Sequence, residues 1–143
     1  AGGNQTIGLG PADAVLRYVT ITALRSGWII VNASLYAYHP ADGDFSRCSI
    51  TTGTALDPNA LSVESNAGYA STALTRGYTV GAGTYRFNLV CDSNTDQVTA
   101  RDSNITAIYV PGSFAALSSS DASPAHASIP DGCVDENGER CGP

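Results

Sequence analysis

The chain has 143 residues, enough for one domain that buries about two-thirds of its unfolded surface. Only 14% of the residues are charged and the formal net charge is −6, with all basic residues Arg; roughly 25% charged is usual for a soluble domain. Such a chain lacks the basic stripe that nucleic acid requires and is ill suited to acidic lipid, and no apolar run is long enough for membrane insertion.

The first residues, AGGNQTIGLG, put Ile7 and Leu9 in strand phase but carry too little apolar surface to order themselves. Residues 1–12 are therefore expected to be an N-terminal arm that docks on its own domain or on a neighbouring copy. A β-sandwich domain is expected over residues 13–112. Its first strand is AVLRYVTITAL (14–24), alternating around Val19, Ile21 and Ala23. After Arg25-Ser26-Gly27 comes WIIVNASLYAY, in which Ile29, Val31, Ala33, Leu35 and Ala37 share one phase. Trp28, Ile30, Tyr36 and Tyr38 fall in the opposite phase, with Asn32 and Ser34 between them. Period two is the signature of a strand with one buried face. The large outward side chains then need a cover, a partner subunit or a sugar to stack on.

PADGD (40–44) is a turn, and RCSITTG follows with Cys48 and Ile50 in phase. Residues 54–68 read as loop. Further strands are expected within 69–80, over TYRFNLVC (84–91), over QVTAR (97–101) and over NITAIYV (104–110). In the second of these Tyr85, Phe87, Leu89 and Cys91 share a face. About seven short strands, with no amphipathic helix among them, make the fold class all-β: an antiparallel β-sandwich, jelly-roll-like, with extended N- and C-terminal arms.

Residues 113–143 change character. Ser, Ala and Pro dominate, and one Arg stands against five acids, whereas residues 1–112 hold six Arg and eight acids. This tail ends in CVDENGERC, where Glu136-Asn137-Gly138 reads as a three-residue hairpin loop that sets Cys133 opposite Cys141. A disulfide there would staple the hairpin. A calcium loop of the EF-hand type fails, because Cys133 would occupy the first ligand position and the twelfth would lie past residue 143. Zinc fails for want of compact spacing and a fourth ligand, so no metal or other cofactor is expected. Cys48 and Cys91 both lie in phase with buried residues. A bridge between them across the core is expected, closing 43 residues and worth about 4 kcal/mol in the loop-entropy model.

Four cysteines fit an oxidising compartment. Removal of a secretory signal peptide would leave a start such as Ala1, as would a boundary inside a longer chain. Acceptor sequons at Asn4, Asn32 and Asn104 would be usable outside the cell. An extracellular, secreted or cell-surface glycoprotein is the expectation.

Catalytic signatures are weak. His39 and His126 have no sequence-local partner, GxSxG is absent, and Asp42 and Asp44 are better explained by their turn than by a cation. A carboxylate pair of glycosidase type stays open. The absence of Lys removes Schiff-base chemistry, the P-loop and Lys–Asn crosslinks.

LRSGWIIVNASLYAY resembles the glycine-to-strand entry of C1q/TNF-like jelly rolls, and VGAGTYRFNLVC is similar to their later core strand. The same pattern resembles the jelly-roll subunits of secreted prokaryotic filaments. The immunoglobulin order of Cys, Trp, Cys is not met, since Trp28 precedes both Cys48 and Cys91. The C1q/TNF-like resemblance implies a trimeric display head. The filament resemblance implies strand exchange between subunits, and neither implies catalytic residues. The expected function is therefore a non-enzymatic structural subunit of an extracellular assembly, partnered by copies of itself. Its interface candidates are Ile7, Leu9, Trp28, Ile30, Tyr36 and Tyr38. The alternative is a secreted carbohydrate-binding module, with glycans as partners of the aromatic residues.

Overall fold

A computed structural model of the chain describes residues 2–3, 5–64 and 67–112. A compact unit spans Ala1–Ser113. The tail hairpin, Cys133, Cys141 and His126 lie outside the described residues, as does Asn4. Among the described residues nine strands follow in chain order: β1 (Gly2–Gly3), β2 (Ile7–Gly8), β3 (Ala14–Ala23), β4 (Gly27–His39), β5 (Phe45–Thr51), β6 (Leu61–Glu64), β7 (Gly68–Val80), β8 (Gly83–Ser93) and β9 (Thr99–Pro111). Among the described residues there is no helix, and so none long and apolar enough to cross a membrane.

The pairing is a set of nested antiparallel ladders. β5 pairs with β6, β4 with β7, β3 with β8 and β2 with β9. That long double ribbon is then rolled, so that β4 also pairs with β9 and β5 with β8. Two antiparallel sheets result, one ordered β1/β2–β9–β4–β7 and the other β3–β8–β5–β6. Nested hairpins wound across two sheets are a jelly roll.

The core is built by alternation. On β4 the residues Ile29, Val31, Ala33, Leu35 and Ala37 are all buried, and they meet Phe87, Leu89 and Cys91 of β8 and Ile50 of β5 between the sheets. Val19 and Ile21 pack against this cluster from β3.

Three expectations need correction, and the docking of the arm is decided between its two alternatives. Residues 54–68 are not all loop, because Leu61–Glu64 pairs with Phe45–Cys48 as a short edge strand. Residues 99–111 form one strand, not two; the ladder with β4 slips between Ser34 and Tyr36, and Asp102 takes φ 48° at that irregularity. The Cys48–Cys91 bond forms, but between facing residues of adjacent strands in one sheet, with Cα atoms 4.2 Å apart, rather than from sheet to sheet. The N-terminal arm orders itself on its own chain. Gly2 and Gly3 pair with Asn104 and Ser103, and Ile7 and Gly8 with Ala100 and Thr99. Leu9 is 2% exposed, so it is a core residue here and not a free interface residue. The arm gains order from the open edge of β9, a source of hydrogen bonds that composition does not reveal.

Candidate functional site

Two features outside the core stand out: the outer face of the β9–β4–β7 sheet, and the arm at its edge.

Strand register fixes the outer face. Its rows run Thr79–Trp28–Val110, Gly77–Ile30–Ile108, Thr75–Asn32–Thr106, Ala73–Ser34–Asn104, Ser71–Tyr36–Arg101 and Tyr69–Tyr38–Thr99. Trp28 is 54% exposed and Ile108 58%; Ile30, Tyr36 and Tyr69 are exposed as well. The face therefore has an apolar end (Trp28, Ile30, Ile108), a polar centre and an aromatic end. In the centre the Thr75 hydroxyl donates to Asn32 Oδ1 at 2.8 Å. At the aromatic end the Tyr36 and Tyr69 rings stack at 4.8 Å and 2°, Tyr38 leans on Tyr69, and the Arg101 guanidinium donates to the Tyr69 hydroxyl at 3.2 Å. Trp28 and Tyr36 are eight residues apart on one strand, about 26 Å. The four large β4 side chains singled out by phase thus form two separate clusters. Tyr69, opposite Tyr38, was not visible in the sequence because register was not. Of the two sequons on this face, Asn104 is exposed and Asn32 is half-buried with its amide oxygen engaged.

The arm is held at several points. Leu9 N–H donates to the Val98 carbonyl at 2.8 Å, and Ser93 N–H to the Gly10 carbonyl at 2.9 Å. Arg17 of β3 donates to the Gly3 carbonyl at 3.3 Å, to Gln5 Oε1 at 3.2 Å and to the Ser103 carbonyl at 3.4 Å. Gly10-Pro11-Ala12 connects the arm to β3.

The remaining polar clusters are structural in geometry. Asp44 Oδ2 accepts from Ala41 N–H, and Asp42 Oδ1 from Ala67 N–H at 2.7 Å, so both carboxylates tie down the β4–β5 turn, where Gly43 has φ 82°. His39 is fully buried with Nε2 3.2 Å from Ser46 Oγ, a partner seven residues away. Burial pushes the imidazole below its usual value, and Asp44 draws it part of the way back. Ser46 is 1% exposed, so this Ser–His contact is closed to solvent. A cavity of about 300 Å³ lies near the start of β6, lined by Cys48, Ile50, Leu74 and Arg76 among others. Arg76 closes one side of it, donating to the Ile50 carbonyl and to Asp57 at 2.7 Å. Among the described residues no group of three or more His, Cys, Asp or Glu could hold a metal ion.

Comparison with protein-family models, with characterised proteins and with solved structures finds no match.

Proposed function

We propose that the protein is a non-enzymatic structural subunit of an extracellular assembly, whose copies are linked by exchange of the N-terminal arm. One observation carries this reading: the arm is an edge strand that inserts a core residue, Leu9, and its chain link to β3 is the short segment Gly10-Pro11-Ala12. In an exchanged pair each contact of the arm is remade by the neighbour's arm, so the closed and exchanged forms are nearly equal in energy. The other sheet edges favour this route, because each is blunted against simple pairing. β6 has four residues, β3 carries an irregularity between Val15 and Arg17, and β7 holds Arg76 in its inward phase. The disulfide fits the oxidising compartment that such an assembly would occupy.

The test mixes two variants that each add one cysteine, Gly8→Cys and Thr99→Cys, at positions that are register partners. Arm exchange gives covalent dimers on a non-reducing gel only in the mixture. Dimers absent from the mixture, while one chain carrying both changes closes on itself, would refute the exchange. Electron micrographs of native material then separate fibres or particles from single molecules.

A second reading, a carbohydrate-binding module, is favoured by the exposed Tyr36–Tyr69–Tyr38 group with Arg101 beside it. Calorimetric titration with glycans tests it, and loss of binding in Tyr69→Ala is the expected signature. Trp28 fluorescence is not a suitable probe, because that ring stands at the other end of β4.

A further inference from the structure

We infer that the outer face of the β9–β4–β7 sheet is a contact between two copies of this chain, packed sheet on sheet with Trp28, Ile30 and Ile108 at its apolar end. This contact is distinct from the arm and does not require its exchange.

Charge singles out this face. The chain carries −6, so two copies repel wherever their acids meet. Across the eighteen positions of the six rows, Arg101 is the only charged residue, with Asp102 at the irregularity beside it. Two such faces can approach with Asp102 as the one carboxylate near them, beside Arg101, and the apolar end supplies the driving force. The outer face of the other sheet differs: Arg47, Arg86 and Asp92 lie on it, and Arg86 covers the exposed Tyr18 ring at 3.9 Å.

Size fits a second copy better than a small ligand. β4 has 13 residues, about 40 Å of strand, and three strands span roughly 14 Å, giving on the order of 600 Å² per copy. That approaches the roughly 800 Å² per partner of a standard interface. Shape contributes too. Gly77 stands beside Ile30 and diagonal to Trp28, and a Cβ placed there meets nothing within 4 Å. It leaves a notch beside a projecting indole. A two-fold contact needs both features on one face, since each copy presents the same surface to the other.

The chain's sole tryptophan, Trp28, is the reporter. Emission and mass are measured together on the full chain over a dilution series, by fluorescence and analytical ultracentrifugation. The expected result is a blue shift of several nanometres at high concentration that coincides with a doubling of mass. Ile108→Glu should weaken this association tenfold or more, and Gly77→Phe, which fills the notch, should do the same. Tyr18→Glu, on the other sheet, should leave it unchanged. A chain doubly substituted with Gly3→Cys and Ser103→Cys, register partners outside the six rows, has its arm locked to itself and should still associate, which separates this contact from arm exchange. Circular dichroism establishes that each variant keeps its sheets; loss of association by Tyr18→Glu equal to that by Ile108→Glu would overturn the inference. So would a Trp28 emission that never moves with concentration, or one already blue in a species of monomer mass, because the face would then be bare or covered by the same chain. A glycan found on Asn32 or Asn104 of native material would also overturn it, since a sugar there stands in the middle of the face.

Discussion

The two sheets wear their outer faces differently. On the β3–β8–β5 sheet, Asn88, Val90 and Asp92 of β8 are buried although they point away from the core between the sheets. The segment from residue 52 to 60 is hydrogen-bonded across part of this face. The Asn88 amide donates to the Gly53 carbonyl at 2.8 Å, Asp57 N–H to Ser49 Oγ at 3.0 Å, and Leu56 N–H to Asp13 at 2.9 Å. Arg47 forms an ion pair with the buried Asp92. The β9–β4–β7 sheet has no such strap among the described residues, and Trp28, Ile30 and Ile108 stand in the open. A buried carboxylate is retained where it is paired, and an apolar side chain is left bare where something outside the fold is to meet it. One face is finished by the chain itself and the other is not.

The comparison can be tested by substitution. The largest effect is expected from removing the Cys48–Cys91 bond, which pins the strapped sheet at β5 and β8. Replacing both residues with Ser should cost about 4 kcal/mol and lower Tm by roughly 15 °C or more, read by thermal denaturation. Leu9→Ala should cost about 2–4 kcal/mol in urea unfolding, because it empties a core site at the edge of the bare sheet. It should also speed hydrogen exchange along the arm. The sharpest pair is Val90→Ala against Ile108→Thr. Both residues face outward, but Val90 is fully buried and Ile108 is not. The first should lose about 1–3 kcal/mol and the second under about 0.5 kcal/mol, measured on dilute chains. Equal losses would erase the distinction between the faces.

The smallest effect concerns pH. His39 is neutral in the fold because burial lowers its pKa, so the unfolded chain takes up a proton first as pH falls below about 6.5. Stability is then greatest above that pH and declines below it, and the decline stops once the folded imidazole also protonates. Urea midpoints between pH 8 and pH 5 should show this slope, and His39→Gln should flatten it.

Much of this was legible from the chain alone where one physical signal dominated. The alternation in WIIVNASLYAY placed Ile29 through Ala37 inside and Trp28 through Tyr38 outside, as found. TYRFNLVC likewise put Phe87, Leu89 and Cys91 in the core, but its other phase was misleading. Asn88 and Asp92 look like solvent residues and are buried, because the Gly53 carbonyl, thirty-five residues away, takes the Asn88 amide and Arg47 of β5 pairs with Asp92. LSVE was too short to announce itself as a strand, and it is one only because β5 offers an edge. The arm was read as unable to order itself, since nothing in AGGNQTIGLG encodes the free edge of β9.

Sequence by itself therefore determined the long strands and their inward phase, with Cys48 and Cys91 both in it, since these follow from local alternation. Tertiary structure alone decided which strands became neighbours, and hence which outward residues share a row. The reason is that period two says which side of a strand is apolar but says nothing about what lies across the ladder. Whether Trp28 stands beside Ile108 or apart from Tyr36, and whether a polar residue such as Asp92 faces water or Arg47, depends on register between segments far apart in the chain.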